Sequence, residues 1–185
     1  PATQSQCAAA RTSFTDSLMA YFDWNATTPL LPAARSSWLT ATDTAWGNPS
    51  TAYRSGAQAK VLLDEARASI ADVLNVNTEQ VIFTSGATES NNSFIREAAR
   101  RAGAGAEVWI SAIEHPSVRE AALHWWGTDN VVKIPVSSSG QVDLDWIKER
   151  VLKSEPSLIC VMAVNNETGV IQPIDELTEL CTEAG

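Results

Sequence analysis

The chain has 185 residues, of which 44% are hydrophobic and 19% charged; that suits a globular domain with a real core and excludes a disordered chain. Its formal net charge of −9 argues against a nucleic-acid or anionic-membrane partner, because either needs clustered Lys and Arg. No apolar run approaches the roughly 20 residues that span a bilayer, and no stretch reads as a signal-peptide core.

In chain order, residues 1–20 are rich in Ala, Ser, Thr and Gln and carry little periodicity. They read as a disordered tail or leader, with Met19 a candidate initiator. Tyr21-Phe22-Asp23 reads as a short strand, and Asn25-Ala26-Thr27-Thr28-Pro29 as a polar loop. Pro32 opens a helix to about Ala45, since proline suits a first helical turn. Trp46 to Ser50 is a turn. From about Ser55 to Leu74, Ala59, Leu62, Ala66, Ile70 and Val73 form one stripe of a helix. Gln80 to Phe83 is apolar and β-branched, which predicts a buried strand. Thr84 to Asn92 follows as a small-residue loop, then a helix over Ser93 to Ala102.

The remaining pattern alternates. Glu107–Ala112 reads as a strand, His115–Trp126 as a helix, and Val131–Val136 as a strand. Asp143–Lys153 reads as a helix, Ser157–Ala163 as a strand, Asn165–Gly169 as a loop and Ile174–Ala184 as a helix. Strands alternating with helices predict an α/β fold of three layers around a mainly parallel sheet. Ligands of such sheets gather outside the carboxyl ends of the strands. Three polar loops fall there: Ser85–Thr88, Glu114-His115 and Asn165–Gly169.

The first of these carries the most chemistry. A helix that starts after a small-residue loop points unpaired N–H groups and partial positive charge outward, which makes an anion site, most often for phosphate. Gly86 and Ala87 allow close approach, and the Thr88 hydroxyl can donate. A capped helix with nothing bound fits the same residues. His115 could stack on a planar heterocycle with Asn166 at its edge; equally, His before Pro is a common helix-start residue, and Asn with Gly favours turns unaided. His124 reads as a partly exposed helix residue, and Trp125 and Trp126 as core or subunit cover. The three cysteines are Cys7, Cys160 and Cys181. Their odd number and lack of metal-ligand spacing fit a reducing, cytoplasmic setting without a metal site. Cys160 reads as a buried apolar residue.

Five segments together resemble the N-terminal part of a cysteine desulfurase, a class V aminotransferase-fold enzyme of the iron–sulfur cluster assembly and nitrogen fixation group. They are Tyr21–Pro29, Gly47-Asn48-Pro49-Ser50, Thr84–Asn92, Glu114-His115-Pro116-Ser117-Val118 and Val164–Gly169, in the family's order from residue 21 onward. The resemblance implies pyridoxal 5′-phosphate as cofactor and L-cysteine as substrate, with L-alanine and an enzyme persulfide as products. It implies that residues 21–185 form part of the cofactor-binding large domain. It implies that Ala87, by its backbone, and Thr88 bind the cofactor phosphate. His115 would stack on the pyridine ring and assist proton transfers, and Asn166 would contact the ring's phenolic oxygen. The Asn25–Thr28 loop would lie near the substrate entrance. Tyr53 stands where many relatives carry His and is assigned no catalytic role.

Other family features are absent from these residues. They are the Asp that pairs with the pyridine nitrogen, the Lys that forms the Schiff base, and the Cys that receives sulfur. None of Lys60, Lys133, Lys148 and Lys153 lies in such a motif, and neither Cys160 nor Cys181 matches the nucleophile's position. The expectation is therefore a fragment, inactive alone, completed by the rest of the same enzyme or a homodimeric partner, with a sulfur-acceptor protein as a further partner. A cystine or selenocysteine lyase of the same fold is the near alternative. A non-catalytic pseudoenzyme or binding module is the distant one.

Overall fold

A computed structural model describes residues 21–24 and 26–184. The expectations for residues 1–20, including Met19 and Cys7, and for Asn25 lie outside the described residues. The chain divides into two units, residues 1–83 and 84–185.

Among its described residues the first unit holds two α-helices, α1 (Pro32–Thr44) and α2 (Arg54–Leu74). Pro32 occupies the first turn of α1, where its missing N–H costs nothing. α2 ends at Asn75, whose φ of 53° is left-handed, a conformation Asn tolerates better than most residues. Only Gly56, Ala59 and Ala71 of α2 are buried. Leu62, Ile70 and Val73 of the expected stripe stay exposed, as does Ala66, because α1 and the turn at Thr78–Gln80 cover little of α2.

Two expected strands are absent. Tyr21–Asp23 and Val81–Phe83 have extended or irregular backbone without ladder partners, and Gln80 closes the turn at Thr78–Gln80. A strand exists by its hydrogen bonds to a neighbour, and apolar composition alone does not supply one. The Val81 carbonyl instead accepts the Arg67 guanidinium, which also lies 4.8 Å from the Phe83 ring centroid.

The second unit is a three-layer α/β structure. Its strands are β1 (Val108–Ser111), β2 (Val131–Ile134) and β3 (Leu158–Cys160), in the order β2-β1-β3. Both pairings are parallel, with Val108 opposite Val131 and Leu158. β1 is the central strand and is buried throughout. Successive side chains alternate between faces. Val108 and Ile110 therefore meet α3 (Ala87–Ala102) and α4 (Pro116–Trp126), through Ile95, Ala121, Ala122 and Trp126. Trp109 points the other way, into a cluster with Ile134, Val142, Ile147 and Leu177. The last two belong to α5 (Leu144–Val151) and α6 (Ile174–Ala184). Trp109 is fully buried, and truncating such a residue typically costs about 3–5 kcal/mol.

The amino end of the sheet is tied by Glu107. Its carboxylate accepts the Trp109 indole N–H at 2.8 Å and the Ser154 hydroxyl at 2.7 Å, and pairs with Arg150 at 3.3 Å. These partners, the Trp109 bond foremost, hold the carboxyl below its usual range. Trp126 is in the core while Trp125 and His124 are exposed, with their rings edge to face at 4.6 Å. Cys160 is partly buried among the residues packed on β1, and Cys181 is exposed on α6.

Strand order places the site. From β1 the chain leaves through α4 on one face, and from β3 it leaves toward α6 on the other. Neighbouring parallel strands whose connections part in this way open a crevice at their carboxyl ends. Residues 112–115 and 161–169 follow β1 and β3 into that position.

Candidate active site

α3 begins at Ala87, six residues earlier than the sequence pattern implies. Thr88, Asn91 and Asn92 are thus helical rather than loop residues. Polar side chains hold this start in place. Glu89 accepts both the backbone N–H (2.7 Å) and the hydroxyl (2.6 Å) of Ser85. Those bonds lower the Glu89 carboxyl from its usual range. Thr84 and Ser90 hydroxyls meet at 2.7 Å, and the Asn92 amide donates to the Thr88 carbonyl at 3.0 Å. No side chain caps the amino end of α3, whose N-cap is Gly86. Glu89, which would be the nearest anion, is drawn back onto Ser85.

His115 is the N-cap of α4, and Pro116 follows in the first turn. The ring Nδ1 accepts the Ser117 backbone N–H at 3.1 Å and lies 2.8 Å from the Ser117 hydroxyl. The imidazole is therefore a helix cap and a cleft residue at once. α3 and α4 lie side by side, and their amino ends frame a cleft of about 380 Å³. Thr88 and Asn92 line it from α3; His115, Pro116, Ser117, Glu120 and Ala121 line it from α4. The Thr88 hydroxyl has no hydrogen-bond partner among the described residues.

The neighbouring loop is built on Asn165, which is buried. Its Oδ1 accepts from the N–H groups of Glu167 (3.0 Å) and Thr168 (2.8 Å) and from the Thr168 hydroxyl (3.0 Å). Its Nδ2 donates to the Ile113 carbonyl at 3.4 Å, which joins this loop to the one carrying His115. Gly169 closes the turn with φ of 73°, donating to the Asn165 carbonyl at 2.9 Å. Asn166 is exposed beside Asn165, outside the residues that line the cleft, and Ala87 precedes the lining residue Thr88. The structure thus brings Thr88 and His115 to one cleft, and sets Asn166 on the adjacent strand-end loop.

Glu114 completes the join. Its half-buried carboxylate accepts the Met162 N–H and, at 3.2 Å, the His115 N–H. Burial raises the carboxyl above its usual range, against the pull of those two bonds. Burial, followed by the Glu114 charge, pushes the Cys160 thiol up to about 12, so it stays protonated and unreactive at neutral pH. Asn165, Glu114 and Ser117 lie in segments that the sequence points to, but no individual role was assigned to them there. A signal existed for one of them: a Glu directly before a loop histidine at a predicted strand end is well placed to bridge neighbouring strand ends.

With this geometry in view, the likeness to known proteins is informative. The aminotransferase class V family model matches residues 20–185. The chain belongs to the aminotransferase class V family. A NifS/IcsS protein homolog of Lactobacillus delbrueckii subsp. bulgaricus is 37% identical over 167 residues, covering 89% of this chain and 43% of that protein. A cysteine desulfurase IscS of Rickettsia felis is 37% identical over 168 residues, covering 89% and 41%. A solved NifS-like protein superposes with a TM-score of 0.79 at 30% identity, covering 89% of this chain and 46% of that one. The chain thus spans less than half the length of the curated relatives it matches. Class V aminotransferases and the desulfurases among them depend on pyridoxal phosphate. Among the described residues, no helix of this class V chain is long and apolar enough to cross a membrane.

Proposed function

We propose that this chain is the amino-terminal, phosphate- and ring-binding portion of a pyridoxal-phosphate cysteine desulfurase. The complete enzyme takes sulfur from L-cysteine, leaving L-alanine and an enzyme persulfide that feeds iron–sulfur cluster assembly. The observation that carries the reading is the shared cleft of Thr88 and His115.

The residues present fit the cofactor. The amino end of α3 carries no side-chain cap, and the Thr88 hydroxyl beside it is available to donate. Backbone N–H groups and the helix dipole at that end suit a phosphate. In this reading Ala87 N–H and Thr88 hold the phosphate. The His115 ring lies against the pyridine face, with its proton-carrying nitrogen able to serve transfers near the ring. Asn166 contacts the phenolic oxygen from the adjacent loop. Glu114 and Asn165 keep that loop and the His115 loop in register. Bound there, pyridoxal phosphate supplies an electron sink, while the protein supplies orientation and electrostatics. L-cysteine, a homodimeric or completing partner, a sulfur-acceptor protein and a cytoplasmic setting belong to the same proposal.

The test uses the full product of the gene that encodes this chain. Purified with pyridoxal phosphate, it should be yellow and should release alanine from L-cysteine. A colourless product that releases no alanine would sink the reading. Release of alanine from selenocysteine, or sulfur from cystine, with L-cysteine inert would move it to the lyase alternative.

A further inference from the structure

We propose that Asn91 and Ser117 are positioning residues that fix the tautomer and the ring rotation of His115. The use of that ring rests on the cofactor reading above; the hydrogen-bond polarity does not.

Three side chains stand in a row between α3 and α4. The Asn91 Nδ2 lies 2.8 Å from the Ser117 Oγ, and the same Oγ lies 2.8 Å from His115 Nδ1. An amide nitrogen can only donate, so the Ser117 oxygen accepts from Asn91. The one hydroxyl proton is then left to point at Nδ1. The Ser117 backbone N–H, also an obligatory donor, reaches Nδ1 at 3.1 Å. Two donors converge on one nitrogen, so Nδ1 must present its lone pair. The neutral ring therefore carries its proton on Nε2. A ring flip would put a C–H where Nδ1 accepts both bonds, which fixes rotation as well as tautomer. The helix cap alone would need only the backbone bond. The hydroxyl and the amide add a connection to α3, the helix that brings Thr88 to the cleft. The ring's direction is thus referred to the same helix whose amino end faces the proposed phosphate.

The experiment is imidazole ¹⁵N NMR of the protein labelled with [¹⁵N]histidine, taken without cofactor at a pH where the rings are neutral. His124, exposed on the same helix, is the internal reference. Expected for the native protein is a pyridine-type resonance for His115 Nδ1 and a pyrrole-type resonance for Nε2. Ser117→Ala removes one of the two donors, and should move Nδ1 toward the position of an unbonded pyridine-type nitrogen. Ser117→Thr keeps the hydroxyl and should hold the native position. Asn91→Asp is nearly isosteric but reverses the polarity. Its carboxylate takes the Ser117 proton, so Nδ1 should move as it does in Ser117→Ala. A native Nδ1–H tautomer overturns the proposal, and so does an Nδ1 resonance that Asn91→Asp leaves in place. Because no cofactor is present, these spectra stand or fall apart from the desulfurase assignment.

Discussion

The Glu114 carboxylate accepts the backbone N–H of Met162, so one side chain spans the carboxyl ends of β1 and β3 where the crevice opens. The bond has a cost, because burial raises the Glu114 carboxyl despite two N–H donors. Below the unfolded carboxyl's pKa both states hold the proton. As pH rises past that value toward the raised folded value, the unfolded chain ionises first and stability falls. Glu114→Gln abolishes the titration and keeps an acceptor for Met162. Urea melts between about pH 4 and pH 7 should show the variant gaining on the native protein as pH rises, with the two nearly equal at the acid end. A gap of opposite sign would mean that the two N–H bonds outweigh burial. Glu107 works in the other sense. Its carboxyl is lowered, so its contribution is present above the ordinary carboxyl range and is lost as pH falls below it.

Asn165 is the scaffold of the second strand-end loop. One oxygen gathers two backbone N–H groups and a hydroxyl, and the amide nitrogen ties the loop to Ile113. Asn165→Ala strands those donors and should lower stability by about 1–3 kcal/mol. Asn165→Asp keeps the acceptor and loses only the donor, so it should fall between. The check is the urea midpoint at constant denaturant slope. If the two variants lose the same amount, the amide nitrogen and not the oxygen organises the loop.

How much of this was legible in the residues depends on what each boundary rests on. The start of α4 was clear, because Pro after His leaves few alternatives to a first helical turn. The start of α3 was not. Thr88, Ser90, Asn91 and Asn92 are poor helix formers, since their side chains compete for backbone groups in other conformations. Here Ser90, Asn91 and Asn92 spend that capacity on Thr84, Ser117 and the Thr88 carbonyl, and the helix keeps them. Val81–Phe83 has strand composition, but pairing is a property of two segments and cannot be read from one. The loops after β1 and β3 and their order were visible from alternation alone, whereas the expected loop Ser85–Thr88 follows no strand. Which of the adjacent residues Asn165 and Asn166 is buried was not, because both have the same chemistry and the groups that gather round Asn165, the Ile113 carbonyl among them, are brought there by the fold. The lining of the cleft by Ser117 and Glu120 follows from how α3 lies along α4, a relation no local pattern encodes.

Gly47 offers a local test of the first unit. A Cβ built there would stand 2.3 Å from the Ser55 carbonyl oxygen and 2.9 Å from the Gly56 nitrogen. Both are backbone atoms next to the start of α2, so no flexible side chain can yield. Gly47→Ala should cost about 1–3 kcal/mol, the usual range for forcing atoms into filled space. Hydrogen exchange would read the damage at the amides of α2, with those of β1 unchanged. Exchange that speeds equally in both would show that the two units unfold together. Gly86→Ala is the control, since nothing lies within 4 Å of a Cβ there.

Thr88→Val tests the assigned phosphate contact in the complete protein. The change preserves shape and β-branching and removes only the hydroxyl, which bonds to nothing else among the described residues. A hydrogen bond to a charged acceptor contributes about 1.5–3 kcal/mol. At 1.4 kcal/mol per decade that is roughly a 10- to 100-fold rise in the dissociation constant for pyridoxal phosphate. Equilibrium dialysis against the cofactor gives the number directly. Pyridoxal without its phosphate should bind native and variant proteins alike, because the lost contact is to the phosphate alone. An unchanged constant for the phosphorylated form would remove Thr88 from the cradle. A loss shared equally by both forms would place the hydroxyl against the ring.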